Sequence, residues 1–337
     1  MSVASTPRSV IWIMTSRCNM SCLHCYTARF HILGELSKSE KLRLAKELAS
    51  MGVEHVSLSG GEPLIHSDTA ELIRVLREEG VGVSIVTNGS VTDSDRIGLL
   101  AKYDVFVYVS VDGPKAIHDR IRYVGSFDKA MNFLTRLREL GLEFGTVMAV
   151  STVNYMYSGE YVEIVMKFEP SEVALIPVMP VGRARITGTY VSYLEYLYAV
   201  RQALEKAQSY GIYLHLWCSP FIRTVIASPK VVAYGCRTLD VIDIDPAGRL
   251  VLCDTVDIVV ASIRREGSLR KAVEKYMTSD IVKKVVHPQL SKPCSECSLR
   301  AWCRGGCFSR AYALFGDLNA GDPLCPLVAR YSGHVKR

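Results

Sequence analysis

Three cysteines near the start of the chain, Cys18, Cys22 and Cys25, are spaced as ligands of a single metal centre. Their C-x3-C-x2-C spacing brings three thiolates together in one short segment. Three thiolates are one fewer than a closed tetrahedral zinc site or a fully ligated four-iron cluster requires. On a four-iron cluster they leave one iron open to a ligand from outside the protein. The alternative is a zinc site with His24 or His31 as its fourth ligand.

A second group of cysteines lies in the last third of the chain, where glycine and proline also become frequent. Four of them form the run C-x2-C-x5-C-x3-C, a spacing typical of metal ligands, with zinc again as an alternative. The total of eleven cysteines is odd, which suits a disulfide framework badly. The members of this group are Cys236, Cys253, Cys294, Cys297, Cys303, Cys307 and Cys325.

The elements that position the first cysteines alternate between apolar strand segments and helix-period segments through about 210 residues. The predicted strands are residues 10–14, 55–59, 82–87, 104–111, 144–150 and 172–179, and predicted helices begin at Ser39, Ser67–Asp68, Ser126 and Tyr190. This alternation indicates parallel strands with right-handed crossovers. Six units are too few for a complete barrel. We predict an α/β protein, a partial (β/α)6 TIM-like barrel with a C-terminal cysteine-rich iron–sulfur domain, with a doubly wound open sheet as the competitor.

The first cysteine segment, residues 17–26 (RCNMSCLHCY), resembles the signature of the radical S-adenosylmethionine (SAM) superfamily. In that family the open iron of a 4Fe–4S cluster chelates the amino and carboxyl groups of S-adenosyl-L-methionine. An electron then breaks the C5′–sulfur bond, and the 5′-deoxyadenosyl radical abstracts a hydrogen atom from the substrate. The resemblance implies both cofactors here, with His24 and Tyr26 beside the cofactor.

Three further segments at successive predicted strand ends resemble cofactor-binding segments of the same family. A Gly-Gly-Glu-Pro segment follows the second strand, where the family contacts the cofactor's amino group through a glutamate or through backbone carbonyls. A Thr-Asn-Gly and a Ser-Val-Asp-Gly segment follow the third and fourth strands, near the ribose and the carboxylate. Each is an ordinary turn sequence by itself. The implied cofactor-binding residues are Gly60, Gly61, Glu62, Pro63, Thr87, Asn88, Ser110 and Asp112.

Two segments resemble the family less closely. Residues 118–122 match a family segment, but Tyr123 replaces the usual glycine and one residue is missing. Arg122 is therefore either a contact of the cofactor carboxylate or a solvated arginine at a helix entry. Residues 180–184, after the sixth strand, are also family-like, with no role assigned.

The C-terminal cysteines resemble the seven-cysteine SPASM extension over about residues 214–330, which divides the chain into residues 1–213 and 214–337. The resemblance implies an outer auxiliary 4Fe–4S cluster on Cys294, Cys297, Cys303 and Cys325, and an inner one on Cys236, Cys253 and Cys307. Some relatives supply an extra cysteine near Cys236, a stretch filled here by residues 241–243. The inner cluster then has an open iron, or takes Cys218 or a carboxylate. Cys218 is otherwise a buried inert thiol.

Asp254, directly after Cys253, is the predicted catalytic residue. In the related anaerobic sulfatase-maturating enzymes an aspartate at this position acts as a base toward the substrate. The alternative is a solvated turn residue. We further expect a pocket wall formed by barrel-facing residues such as Tyr155, Met156, Met179 and Trp217.

The resemblance implies a radical SAM oxidoreductase or maturase that oxidatively modifies a peptide or protein side chain. The alternatives are an enzyme of tetrapyrrole (haem) or tungsten/molybdenum cofactor biosynthesis, and a non-catalytic multi-cluster electron-transfer protein, which would have no use for an open iron. Seventeen residues precede Cys18, so we expect no fused leader-binding domain. A ferredoxin or flavodoxin is the expected electron donor.

Bulk properties exclude other classes of protein. The net charge of +6 is spread along the chain and forms no basic block for nucleic acid. No stretch approaches the roughly 18 apolar residues of a membrane span, and the N-terminus lacks a signal-peptide pattern. We expect a cytoplasmic protein without nucleic-acid or membrane partners.

Overall fold

The computed structural model describes residues 6–32 and 34–331. The first five residues of the chain, residue 33 and the last six residues of the predicted second domain lie outside the described ranges. Eleven strands in this part of the chain form one sheet in the order β11-β10-β9-β1-β2-β3-β4-β5-β6-β7-β8. The strands are β1 (Ser9–Thr15), β2 (His55–Gly60), β3 (Gly82–Thr87), β4 (Phe106–Ser110), β5 (Phe144–Val150), β6 (Glu172–Pro177), β7 (Leu214–Leu216), β8 (Val231–Ala233), β9 (Val241–Ile244), β10 (Arg249–Cys253) and β11 (Val256–Ser262).

Strands β1 to β8 are parallel and lie in their order along the chain. A doubly wound sheet reverses its direction of growth at a switch point, so the sequential order fits the partial barrel instead. The α/β prediction and its six strands are confirmed. Strands β7 and β8 continue the same sheet beyond residue 213, and β9 pairs in parallel with β1. The division at residues 213 and 214 stays a prediction.

The helices cover the outer face of this sheet and the cysteine-rich end. They are α1 (Lys38–Ser50), α2 (Thr69–Glu78), α3 (Ser94–Lys102), α4 (Lys115–Ile121), α5 (Ser126–Glu139), α6 (Ser158–Val165), α7 (Arg183–Thr187), α8 (Tyr193–Ser209), α9 (Ile263–Glu266), α10 (Leu269–Thr278), α11 (Asp280–Val286), α12 (Arg300–Cys303), α13 (Phe308–Phe315) and α14 (Pro326–Tyr331). In the described ranges, none of the helices combines the length and apolar character needed to cross a bilayer.

Helix α1 begins at Lys38, two residues earlier than it would if Ser39 were the cap. Ser37 caps it, because its hydroxyl accepts the Glu40 N–H at 3.3 Å while the Glu40 carboxylate accepts the Ser37 N–H at 2.7 Å. This reciprocal pair needs a glutamate three residues after the cap, a spacing that Ser37 has and Ser39 lacks. The prediction of Ser39 as the cap is therefore wrong. The same pairing of Ser192 with Glu195 starts α8 at Tyr193 and not at Tyr190.

The two faces of the sheet differ in chemistry. Val107 and Val109 of β4 are fully buried in the apolar core under the helices, where each side chain contributes about 1.5–3 kcal/mol. The alternate residue Tyr108 lies on the inner face, level with Gly145 of β5 and Glu172 of β6. A Cβ on Gly145 would lie 2.8 Å from the Tyr108 ring, so the glycine lets Tyr108 lie across β5.

Candidate functional site

The first three cysteines lie in the loop after β1, at the carboxyl end of the strand, as the sequence predicted. Cys25 lies close enough to Cys18 and Cys22 to raise the pKa of both of those thiols electrostatically. Burial raises the pKa of the Cys22 thiol to about 11, against the opposing charge of Arg122. The free Cys22 thiol is therefore protonated at pH 7. It loses its proton when it binds a metal, as the cysteine ligands of a cluster do.

The spacing of the ligand atoms does not fit zinc at either cysteine group. Two ligands on one zinc ion, each at most about 2.3 Å from it, are at most about 4.6 Å apart. Among the residues that the structure describes, three ligand atoms come within 4.8 Å of one another only at Asp243, Cys253 and Asp254. The thiolates of a four-iron cluster bind different irons and need not come this close together, so the cysteines of both groups suit clusters better than zinc.

The segment after β6 holds the cysteine loop in place. The Arg183 N–H donates to the Cys25 carbonyl at 2.9 Å, and its guanidinium donates to the Cys22 carbonyl at 2.7 Å. A Cβ on Gly182 would lie 2.7 Å from the same Cys25 oxygen, so only glycine permits this approach. Residues 180–184, to which the sequence assigned no role, therefore pack against the backbone of the cysteine loop and hold it in place.

Gly60 and Gly61 pack against the start of the same loop. The Gly61 N–H donates to Thr15 O at 2.8 Å, and a Cβ on Gly61 would lie 2.1 Å from Arg17 O. Gly60 has a φ of +138° and its Cβ would lie 2.2 Å from Thr15 O. Two glycines are required because backbone contacts backbone at both positions, which fixes the loop relative to β2.

The Glu62 carboxylate is fully buried and joins the ends of β2 and β3. It accepts hydrogen bonds from the Thr87 hydroxyl at 2.8 Å, the Asn88 N–H at 2.6 Å and the Leu64 N–H at 3.0 Å. Burial raises the pKa of the Glu62 carboxyl, and these donors oppose the rise. Since the side chain is engaged within the protein, the backbone carbonyls of this segment are the better candidates for the cofactor's amino group. The neighbouring Pro63 starts a 3-10 turn.

Asn88 reaches from the end of β3 to the cysteine loop. Its side-chain amide donates to Asn19 Oδ1 at 3.0 Å and lies 4.0 Å from Cys18 Sγ. The Asn19 amide in turn donates to the Ser90 hydroxyl at 2.8 Å. Sequence reasoning missed Asn19 and Ser90, because no spacing rule pairs a residue inside the cysteine motif with one 71 positions later.

Asp112, after β4, pairs with Arg122 in a buried site. Arg122 Nε donates to Asp112 Oδ2 at 2.7 Å, and the Ala149 N–H donates to the other carboxylate oxygen at 3.0 Å. The Arg122 side chain is 7% exposed, so its reading as a solvated arginine is wrong. Burial would raise the pKa of Asp112, but Arg122 and His24 outweigh it and lower that pKa. The buried Ser110 precedes this site at the end of β4.

Two buried histidines frame this pair. His24 Nδ1 and His118 Nε2 have no hydrogen-bond partner within the described ranges, and burial lowers the pKa of each ring to about 4. Both are therefore neutral at pH 7. An unsatisfied buried nitrogen inside the cysteine loop is what a bound polar cofactor would satisfy. His31 is exposed, which again disfavours zinc there.

The sequence missed Asn154, which braces the ends of β4 and β5. Its side chain accepts the Ser151 N–H at 2.6 Å and donates to the carbonyls of Asp112 at 3.1 Å and Ala149 at 3.0 Å. An asparagine after a strand is common in turns, so its type alone gave no signal.

Asp254 is held by groups from both cysteine regions. The Tyr26 hydroxyl donates to Asp254 Oδ2 at 2.7 Å, Arg29 donates to the Asp254 carbonyl, and Asp243 accepts the Asp254 N–H at 2.6 Å. Asp254 lies in a turn and is half-buried, and these partners engage both its carboxylate and its backbone, so it is not a freely solvated turn residue. Burial raises the pKa of the Asp254 carboxyl, against opposing effects of Tyr26 and Arg29.

The structure also brings the later cysteines into two groups. One cavity is lined by the four predicted outer ligands, Cys294, Cys297, Cys303 and Cys325. Near the other group, the buried Arg310 bonds Asp322 at 2.9 Å through two nitrogens, and Asp322 accepts the Cys307 N–H at 3.0 Å. Sequence reasoning missed this ion pair, whose members no motif connects.

The predicted pocket wall is only partly confirmed in position. Trp217 packs on Tyr108 of the inner face with ring centroids 4.9 Å apart, and Met179 is buried against Arg310. Tyr155 instead packs on Tyr198 of the outer helix α8, and the Met156 side chain is 59% exposed. The prediction is wrong for these two, because they lie in a 3-10 turn beyond β5 and not on the strand.

Comparisons with known proteins agree with this geometry. Residues 12–166 match the family model "Radical SAM superfamily". The chain is 26% identical to the AdoMet-dependent heme synthase of Methanosarcina barkeri, over 96% of this chain and 97% of that protein. It is 26% identical to the PqqA peptide cyclase of Rhodopseudomonas palustris, over 97% and 89%.

The fold is shared with solved structures of low sequence identity. The structure of anSMEcpe with bound AdoMet has a TM-score of 0.76 at 16% identity, covering 97% of each chain. Streptococcus suis SuiB bound to its precursor peptide SuiA has a TM-score of 0.74 at 15% identity, covering 96% of this chain and 76% of that one. Residues 12–166 are a radical SAM domain. Through its cysteine loop and its cysteine-rich C-terminal extension, the chain resembles SPASM-type radical SAM enzymes along nearly its whole length.

Proposed function

We propose that this enzyme oxidatively modifies a side chain of a peptide or protein. When bound, SAM and the 4Fe–4S clusters supply the 5′-deoxyadenosyl radical and the acceptor for the substrate's second electron. Similarity to a peptide cyclase and to mycofactocin maturases supports the peptide class.

The observation that carries the proposal is the position of Asp254. Its carboxylate bonds Tyr26 of the first cysteine loop and adjoins Cys253 of the second cysteine region. A substrate held between the two regions loses a hydrogen atom, and its oxidation then releases a proton. Asp254 is placed to accept that proton, while Tyr26 and Arg29 fix its orientation.

The inner face of the barrel offers a binding wall suited to a peptide side chain. Glu172 accepts hydrogen bonds from the Tyr108 hydroxyl at 3.0 Å and from the Trp217 indole at 3.3 Å. These side chains are half-buried, so part of the two aromatic rings and of the carboxylate stays accessible. A polycarboxylate such as a tetrapyrrole would meet like charge at Glu172, whereas an amide or a cationic group would not.

The second candidate function is a step of haem synthesis. The observation that favours it is length: the chain covers 97% of one haem-synthase relative and 90% of an Fe-coproporphyrin III synthase from the same archaeon. The curated peptide-acting relatives are covered to 89% and 82%. The structure of anSMEcpe with bound peptide is covered to 100%, so length is compatible with both candidates.

One experiment separates the two. The anaerobically reconstituted enzyme is assayed for 5′-deoxyadenosine with SAM and a reductant, adding either synthetic peptides encoded beside its gene or iron-coproporphyrin III. Peptide-dependent 5′-deoxyadenosine and a peptide lighter by two hydrogens support the first function. Stimulation by the porphyrin alone supports the second. Cluster-loaded protein that never cleaves SAM contradicts both.

The same proposal includes a low-potential electron donor of the ferredoxin or flavodoxin type, because the cluster must be reduced before SAM is cleaved. It also places the enzyme in the cytoplasm, where free thiols are kept reduced for cluster assembly.

A further inference from the structure

Cys218 lies two residues beyond β7, at the same carboxyl edge of the sheet as the first cysteine loop. It belongs to neither cysteine motif. Its backbone has a φ of +54°, a left-handed conformation that residues with a Cβ rarely adopt. Such a conformation persists where the surroundings impose it, and it often marks a functional position.

The surroundings of Cys218 hold its thiol toward the inner cysteines. The Cys218 thiol lies beside the Cys307 thiol and within electrostatic range of Cys236 and Cys253. Arg310 fixes both ends of this contact, because its guanidinium donates to the Cys218 carbonyl at 2.7 Å while its N–H donates to Cys307 Sγ at 3.4 Å.

The flanking residues are anchored as well. The Ser219 hydroxyl bonds the Tyr196 hydroxyl at 2.8 Å and donates to the Trp217 carbonyl at 3.0 Å. Cys218 therefore sits in a rigid turn that presents its sulfur, unlike a thiol that merely fills space in a core.

Asp243 is the competing ligand, since it also contacts a cysteine of this group. An oxygen of its carboxylate lies within 4.8 Å of Cys253 Sγ. Asp243 Oδ2 accepts the Asp254 N–H at 2.6 Å. That backbone bond engages one carboxylate oxygen, and iron in these clusters is held mainly by thiolates. Cys218 offers a thiol beside Cys307.

We propose that Cys218 is the fourth thiolate of the inner auxiliary cluster, completing the set with Cys236, Cys253 and Cys307. The inner cluster is then fully ligated by protein and does not bind substrate through an open iron. This inference rests on the auxiliary clusters of the proposed enzyme and is independent of its substrate.

The test uses a full-length background in which Cys18, Cys22 and Cys25 are replaced by alanine, so that only the auxiliary clusters load. Protein reconstituted with ⁵⁷Fe is compared by iron content and Mössbauer spectroscopy before and after Cys218→Ser, Cys218→Ala and Asp243→Asn. The background should hold about eight irons. The outer ligands are untouched, so about four retained irons report that each variant is folded.

The Cys218 variants should either lose about four of the eight irons or show about one iron in eight with a non-thiolate signature. Asp243→Asn should change neither quantity. Unchanged iron content and spectra in Cys218→Ser and Cys218→Ala would overturn the proposal, as would a ligand change in Asp243→Asn alone. Failure of peptide modification leaves these readouts unaffected.

Discussion

The hydroxyl of Tyr26 and the carboxylate of Asp254 are 2.7 Å apart, although 228 residues separate them in the chain. Tyr26 belongs to the loop after β1, and Asp254 to the turn after β10. Strand β9 pairs in parallel with β1, but β10 runs antiparallel beside β9, so the turn after β10 lies toward the amino end of β1. Tyr26 reaches it from the loop that follows the carboxyl end of β1. The radical-generating region and the auxiliary-cluster region therefore share a hydrogen bond, and its two ends can be altered separately.

Replacing Asp254 by asparagine should separate cofactor cleavage from product formation. The amide keeps the size of the side chain and can accept the Tyr26 hydrogen bond, but it does not accept a proton. We expect 5′-deoxyadenosine formation within about twofold of wild type and product reduced by at least about 100-fold, within the range of lost general-base catalysis. Normal product yield from Asp254→Asn would exclude Asp254 as the proton acceptor.

Replacing Tyr26 by phenylalanine should have a milder effect on the same ratio. The variant removes the donor to Asp254 Oδ2 without changing the carboxylate itself. We expect about a tenfold fall in product per 5′-deoxyadenosine, because the base is less well oriented. A tenfold fall corresponds to a rise of roughly 1.4 kcal/mol in the barrier to proton transfer. Tyr210→Phe is the matched control, because that side chain is 47% exposed, and it should change nothing.

Replacing Gly61 by alanine should displace the cysteine loop. The added Cβ would lie 2.1 Å from Arg17 O, a backbone atom that moves only if the loop moves. We expect the loss of about four of about twelve irons and of the SAM-dependent change in the EPR spectrum. Gly98→Ala is the control: nothing lies within 4 Å of its Cβ inside α3, so it should stabilise the protein by about 0.5–1 kcal/mol. Full iron and a SAM-sensitive signal in Gly61→Ala would contradict the packing.

Replacing Glu62 by alanine should destabilise the fold itself. The change leaves three donors, on Leu64, Thr87 and Asn88, without their acceptor in a buried site. Each unsatisfied donor costs about 1–3 kcal/mol, and partial hydration brings the expected total to about 3 kcal/mol. The measurement is the urea midpoint under anaerobic conditions. Glu71→Ala, which removes only exposed ion pairs, should cost less than about 1 kcal/mol, and equal effects of the two variants would refute this role.

The sequence predicted those parts of the fold that local pattern determines. Strands β1 to β6 have runs long enough to show periodicity, whereas β7 and β8 have three residues each and were missed. The cysteines and glycines of the site were found because chemistry or backbone geometry restricts those positions to one residue type. The Arg310–Asp322 pair was not found, since any buried charge needs a partner and only the fold says which one.

The buried His118 predicts how stability depends on pH. Burial lowers its pKa to about 4 in the folded state, against about 6.5 in an unfolded chain. Between these values the unfolded state binds a proton that the folded state does not, so the free energy of unfolding falls as the pH falls from about 6.5 to about 4. Across this pH range, protonation of the His118 ring lowers the free energy of unfolding by about 3 kcal/mol.

The measurement is denaturant unfolding of wild type and His118→Gln across that pH range. Glutamine can still accept the Asp112 N–H that His118 accepts at 3.1 Å, but it does not titrate. The stability difference between the two proteins should narrow by about 3 kcal/mol from pH 7 to pH 4, while acid damage to the clusters, common to both, cancels. His31→Gln is the control, because that side chain is exposed and should leave the slope unchanged. Parallel curves for wild type and His118→Gln would show that the ring is protonated in the folded protein, with a partner that the present contacts do not supply.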